Sequence, residues 1–388
     1  MSIDRWALRA DVAHLNHGSF GGCMRSTLET ATEIRARVEA SPMRFYVLDW
    51  QAELDVARAK IAAFLGADAE TLVPVQGATH GTAVALRAAH AMGLAAGDEI
   101  VTTRDVYRAA GNQLARLADA IGAHIISVPV PTPFDPDALV AAVTSAITPR
   151  TKLALFDHIT SATALVFPLL RMLAPYAARG IPVIVDGAHA PGQIELSVSA
   201  VLAAGATWYT GNHHKWMCGP KASGFLAIAP NAVAHTLPLV TSHGATASYG
   251  PPNRLHAEHD WAGTNDPSAL LSVPTAIDDV AAAGGGWPAV RARNHALALA
   301  MRERLGGRQL APEEAIGCMV TAPIELPAGV SPLAMEKRLL MAGWEVPVVD
   351  RATGPLLRVC AHVYNHIEQI DDLRRALADH GVSISTRQ

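Results

Sequence analysis

The sequence predicts an α/β fold: a large domain built on a mostly parallel seven-stranded sheet flanked by helices, then a smaller C-terminal α+β domain. Three observations predict it. Half of the 388 residues are apolar and only 17% are charged, enough to fill more than one buried core. Seven short β-branched runs, mostly bounded by Gly, Pro, Asp or Asn, recur before Ser242, and stretches with helical spacing separate several of them. Strands that alternate with helices in this way form a parallel sheet covered on both faces.

In chain order the runs are TLVPVQG, DEIVTT, AHIISVPV, TKLALFDHIT, IPVIVDGAH, ATWYTGN and SGFLAIAP. Helical spacing places helices at 80–92, 109–121, 136–147, 169–179 and 196–204. Thr79, Tyr107, Asp157, Asp186 and Asn212 then fall at or just beyond the carboxyl ends of strands, where open α/β sheets build ligand sites. The character changes after Ser242. Residues 243–265 are rich in Gly, Pro, His and Asn and read as a loop. A helical pattern follows over 267–304, broken by the glycines at 284–286 and by Pro288. Strands near MVTAPIEL and LLRVCAHV, with helices near Pro332–Met341 and 368–380, complete the chain. The expected division is 21–265 for the large domain and 266–388 for the small one, with 1–20 packing against the latter.

Composition excludes several function classes. Lys and Arg total 31 against 35 Asp and Glu, a formal charge of −4 with no long run of one sign, so neither nucleic acid nor membrane is an expected partner. No stretch approaches the ~18 uninterrupted apolar residues of a membrane span. Asp4, Arg5, Arg9 and Asp11 interrupt the N-terminus where a secretory segment needs an apolar core. Cys23, Cys218, Cys318 and Cys360 are scattered, which argues against a disulfide framework and against a metal site. A cytoplasmic enzyme with a deep pocket fits these bounds.

The strongest local signal is TGNHHKWMCGPK, residues 210–221. Lys215 sits in a turn directly after an apolar strand. A loop lysine that snorkels to water is the ordinary reading. Against it stands Asp186, which ends a strand expected to be buried on both faces, where a carboxylate needs a cation. An Asp at one strand end and a Lys two strand ends away is the pair that pyridoxal phosphate requires. The carboxylate keeps the pyridine nitrogen protonated so that the ring withdraws electrons, and the amine forms a Schiff base with the aldehyde.

The motifs LNHGSFG, QGATHGT, DHITSAT, VDGAHAPG, TGNHHKW, WAGTND and LRVCAHVYN, spanning 15–365, resemble in order and spacing the class V aminotransferase-like, fold-type I pyridoxal-phosphate enzymes. Within these, the chain is most similar to the isopenicillin N epimerase-like branch. The resemblance implies that Lys215 carries the cofactor and moves the substrate α-proton, while Asp186 pairs with the pyridine nitrogen. His189 would contact the ring's phenolic oxygen, the alternative being a loop histidine bonded to backbone. Ala78, Thr79 and His80 open a helix and suit a phosphate, a role compatible with Thr79 as an ordinary cap. Asn212 and His214 would add donors. Thr264 would reach the phosphate of a neighbouring subunit, which implies a homodimer with shared active sites. Tyr107 would stack on the cofactor, although Asp105 and Val106 stand where many relatives carry a histidine; a surface tyrosine is the alternative. Thr160 and Ser161 would lie near the cofactor oxygen. Arg358 would clamp the substrate α-carboxylate, which a guanidinium fork matches bidentately, and Asn16 and His17 would fold over the site to touch substrate.

Loss of the α-proton opens several outcomes: epimerisation, C–S β-elimination on a cysteine conjugate or its sulfoxide, or transamination. Desulfuration through a persulfide needs a cysteine before the carboxylate-binding arginine, and none occurs between Met319 and Val359. A non-catalytic scaffold relative would have no need of an intact Lys215, Asp186 and Arg358. Loops at 42–50, 242–260 and 346–354 should wall the pocket. Phe45, Tyr46, Trp50, His243, Tyr249, His256 and His259 in the first two suggest an uncharged or aromatic substrate end.

Overall fold

Strands form where the apolar runs were expected, and their order decides which loops meet. The computed structural model describes residues 3–246 and 253–386; Tyr249 lies outside the described residues. In chain order the strands are β1 (Ala13–His14), β2 (Leu72–Val75), β3 (Glu99–Thr103), β4 (His124–Val128), β5 (Thr151–Asp157), β6 (Val183–Asp186), β7 (Trp208–Asn212), β8 (Gly224–Ile228), β9 (Met319–Glu325), β10 (Trp344–Glu345), β11 (Val348–Val349), β12 (Leu356–Cys360) and β13 (Ser383–Ile384).

Strands β2 to β8 make one seven-stranded sheet in the order β2-β8-β7-β6-β5-β3-β4. β8 runs antiparallel to both its neighbours, and the other pairings are parallel. Alternation along each strand feeds two cores. Leu153 and Leu155 pack with Leu86 and Leu114 from helices Ala78–Ala91 and Arg108–Ile121. Ala154 and Phe156 point the other way, to Leu139 and Leu173 from helices Pro136–Ser145 and Leu169–Ala177. With both faces covered, strands that are apolar throughout are the stable solution.

A second, antiparallel sheet, β11-β12-β9-β13, packs Val320, Leu357 and Val359 against Ala298, Met301 and Leu373 of helices Trp287–Leu305 and Glu368–Asp379. The N-terminal segment reaches two places. β1 pairs with β10 and Leu15 enters the core of the smaller sheet. Trp6 instead packs with Met24, Cys218, Trp287 and Tyr364. Among the described residues, no helix is long and apolar enough to cross a membrane.

Two sequence expectations need correction. Residues 243–265 are not all loop, because Arg254–His259 is helical. The Asn253 side chain accepts the Leu255 N–H, a cap, and Arg254 pairs with Glu258 one turn on at 2.6 Å. Arg58 then holds Asp260 at 2.6 Å, both side chains buried. Pro288 does not break a helix but sits in the first turn of Trp287–Leu305, where its missing N–H costs nothing. The stop belongs to Gly285, whose φ of 79° closes Val273–Gly284.

The start of β8 is a contact of bare backbones. A Cβ on Gly224 would meet Gly77 Cα and the Gly211 carbonyl, each at 2.6 Å. Gly224→Ala should therefore cost about 1–3 kcal/mol, the range for overpacking. Urea unfolding should give an earlier midpoint at unchanged slope; an unmoved midpoint would mean that these backbones part freely.

Candidate functional site

β6 ends on Asp186 and β5 on Asp157, direct partners in register, both buried. Asp186 Oδ1 accepts the Ala188 N–H at 2.9 Å, and Asp157 Oδ1 accepts the Tyr107 N–H at 3.3 Å. Two carboxylates so placed do not both ionise. Burial first, then the charge of Asp186, pushes Asp157 well above the usual carboxylate range. Burial raises Asp186 as well, opposed by the Ala188 N–H and by Lys215.

β7 is the immediate neighbour of β6, so Lys215 comes from one strand over rather than two. Its turn is closed by the His213 N–H to the Ser223 carbonyl at 3.1 Å and the Gly219 N–H to the His213 carbonyl at 2.9 Å. The buried Lys215 Nζ lies 3.0 Å from His189 Nε2 and 5.8 Å from the centroid of the Tyr107 ring. Burial lowers the Lys215 amine to about 8; Asp186 opposes the shift and Arg358 adds to it. Burial, then Lys215, drives His189 well below its usual range, so the imidazole is neutral. Its Nδ1 has no partner among the described residues.

Arg358, on β12, is also buried. One arm donates to Asn16 Oδ1 at 2.9 Å and Ser19 Oγ at 2.7 Å, and the other reaches the Ser161 carbonyl and, at 3.4 Å, its hydroxyl. Thr160, next in line, donates its backbone N–H to the Leu165 carbonyl at 3.0 Å and shapes that turn. Asn16 and Ser161 thus meet at Arg358. Ser19 was not singled out from the sequence, although it stands three residues after Asn16. Asp157 was placed at a strand end without a role; the same signal that marked Asp186, an apolar strand ending in Asp, was available for it.

At the start of helix Ala78–Ala91 the Ala78 N–H donates to Asn212 Oδ1 at 2.9 Å. Thr79 is exposed, and its carbonyl accepts from Gln113 Nε2 at 3.0 Å. His80 is half-buried. His214 is partly buried, lowered to about 4 by burial, and its Nδ1 has no partner among the described residues. Thr264 is exposed. Its neighbours Ala262 and Asn265 line a cavity of about 200 Å³ with His80, Gln76 and Ser223. His17 is buried with both ring nitrogens bonded within the protein: Nδ1 meets the Tyr364 hydroxyl at 2.9 Å and Nε2 the Lys215 carbonyl at 3.0 Å. All four cysteines are buried as free thiols.

The chain leaves His189 Nδ1, His214 Nδ1, Asp157 Oδ2 and Arg358 Nε buried without partners among the described residues. Buried polar atoms are normally satisfied. A ligand bearing a phosphate, a phenolic oxygen and an aldehyde fits this donor set and the adjacent amine.

The family model for aminotransferase class-V matches residues 27–317. The chain is 34% identical to isopenicillin N epimerase of Streptomyces clavuligerus over 96% of each protein. It is 33% identical to putative L-cysteine desulfhydrase 1 of Oryza sativa subsp. japonica over 82% of this chain and 66% of that one. The structure of the cystine C–S lyase C-DES with its product, cysteine persulfide, superposes with a TM-score of 0.81 at 20% identity, covering 95% of this chain and 98% of that one.

The lowered amine of Lys215 has a kinetic signature. Capture of pyridoxal 5′-phosphate by cofactor-free protein should fall roughly tenfold per pH unit below about 8, where the ammonium dominates, and level off above it. An ordinary lysine would keep accelerating to ~10.4. Stopped-flow absorbance across pH 6–10.5 checks this; a rate still rising above pH 9 would place the reactive amine elsewhere.

Proposed function

The chain belongs to the aminotransferase class-V family, its cofactor is pyridoxal 5′-phosphate, and from that premise we propose that it inverts the α-carbon of an amino acid or amino-acid derivative, as an epimerase or racemase. The cofactor supplies an electron sink for negative charge at the α-carbon. Asp186 would pair with its ring nitrogen, with the buried Asp157 beside it in register. Ala78, Thr79, His80, Asn212 and His214 hold the phosphate. His189 and Ser161 stand by the phenolic oxygen. Thr264 completes the phosphate site of a second copy, so the assembly is a homodimer. Arg358, braced by Asn16, fixes the α-carboxylate so that the Cα–H bond faces Lys215. Lys215 and Asp186 belong to the large domain, 21–265, and Arg358 to the small one, 266–388, so substrate binds between the two.

One observation carries the epimerase reading. Lys215 Nζ lies over the Tyr107 ring, 5.8 Å from its centroid, so an amine and a tyrosine border the same space. Inversion needs a base on one face and a proton donor on the other. Lys215 takes the proton and Tyr107 returns one; His17, the other candidate donor, is committed to Tyr364 and the Lys215 carbonyl. A second reading, C–S β-elimination, draws support from the desulfhydrase relative and the C–S lyase fold, and needs only Lys215 and a leaving group.

Incubation of the holoenzyme in heavy water with L-amino acids and S-substituted cysteines separates the readings. Epimerisation puts deuterium at Cα and yields the D-enantiomer. Tyr107→Phe should slow inversion by ~10²-fold or more, the scale of general acid catalysis, while Lys215 still exchanges the L-substrate. Pyruvate and ammonia without D-enantiomer would replace the epimerase with a lyase. Thr264→Ala should weaken cofactor retention and make it depend on protein concentration; retention undiminished in a dilute monomer would remove the shared site.

A further inference from the structure

A cavity of about 420 Å³ opens against β12 and β9, lined by neither Arg358 nor Lys215. Its charged lining side chains are Arg308, Arg351 and Asp105, two guanidinium groups against one carboxylate. Arg351 Nη2 donates to Asp105 Oδ1 at 2.8 Å, and Thr163 Oγ1 donates to Asp105 Oδ2 at 2.7 Å. Asp105 is buried, so this network aims and holds Arg351 rather than merely screening it. One bond to Asp105 leaves further donors on a fork that carries five N–H groups.

The cavity's position follows from strand register. Arg358 lies opposite Thr321, and Leu356 opposite Pro323, across the β12–β9 pair. Residues two apart on a strand, and residues directly opposite on its partner, share a face. Thr321, Pro323 and Leu356 all line the cavity. It therefore lies on the same face as Arg358, displaced along the strand by two residues, roughly 7 Å. One turn backs both places, because Ser161 accepts from Arg358 while the Thr163 carbonyl accepts from Thr321 Oγ1 at 3.4 Å. A substrate clamped at its α-carboxylate by Arg358 and extended along this face ends at Arg351 and Arg308.

We propose that this cavity is the side-chain subsite and takes an α-amino acid whose long side chain ends in a carboxylate, with Arg351 as the specificity-determining residue and Arg308 as a second cation. The proposal rests on Arg358 holding the α-carboxylate, as in the reading above. It departs from the uncharged or aromatic substrate end expected from the loops at 42–50 and 242–260. Tyr46 of the first of these spends its hydroxyl on the Asn265 carbonyl, and Phe45 is buried in a core, so neither is available to a ligand.

The test compares L-2-aminopimelate with a neutral amino acid of the same chain length on the holoenzyme, by calorimetric binding and by Cα deuterium exchange. Wild type should bind the acid at least tenfold more tightly. Arg351→Gln should collapse the ratio of acid to neutral affinity toward one. Arg308→Gln, which leaves the Asp105 network intact, should reduce the ratio several-fold and guards against misfolding of the first variant; thermal unfolding checks both. Equal affinities in wild type, or a preference that survives in both variants, would overturn the subsite. Calorimetry reads the subsite even where no exchange occurs, and absent exchange with a retained preference would sink the proton-transfer reading alone.

Discussion

A primary amine held out of water within reach of two buried carboxylates is the constraint on which the rest of the site depends. The drop of Lys215 from 10.5 to about 8 corresponds to about 3 kcal/mol in favour of the free amine. Were Asp157 and Asp186 both ionised, their combined charge would pull that proton back onto the amine. The register that sets the two carboxylates side by side works against it, because burial and then the charge of Asp186 raise Asp157. Arg358 works in the same direction from the other side. Sheet order thus acts on chemistry: parallel neighbours β5, β6 and β7 bring Asp157, Asp186 and the turn of Lys215 to the same ends of the strands.

The N-terminal segment ties that edge to the substrate end. Within one short stretch, His17 holds the Lys215 carbonyl while Asn16 and Ser19 hold the Arg358 fork. The Leu15 carbonyl accepts the Cys360 N–H at 2.8 Å, fixing the stretch to the strand that carries the arginine. His17 in turn stacks on His362 at 3.9 Å between ring centroids, with Tyr364 and Trp216 around them. Cys218 completes a cluster of possible metal ligands, yet two nearly parallel rings at that spacing cannot both aim an in-plane lone pair at one ion. The cluster is better understood as a rigid neutral wall behind the lysine turn.

Much of this was legible in the sequence, and for a definite reason. Strands buried on both faces announce themselves as apolar runs, and Asp186 and Lys215 stood out because neither belongs at such a strand end without a partner. What stayed hidden depended on contacts between distant positions. The orientation of His17 is set by residues 198 and 347 positions away. The helix Arg254–His259 was masked by Asn and His, weak formers whose cost is offset by one cap and a buried ion pair at Asp260. The polarity of the cavity near Arg358 was hidden because Asp105 and Arg351, its network, are 246 residues apart.

The histidines themselves carry a last lesson about where protons can move. His189, His213, His214, His17 and His362 crowd the lysine turn, and a histidine-rich motif invites an acid–base role for each. Burial depresses every one of them: His17 and His213 to about 3, His214 to about 4, and His189 and His362 well below their usual range. Near neutral pH none is an imidazolium, so none is a ready acid, and those without partners are acceptors or weak donors that orient rather than exchange. The group that burial instead brings toward neutral pH in this cluster is the amine of Lys215, lowered to about 8.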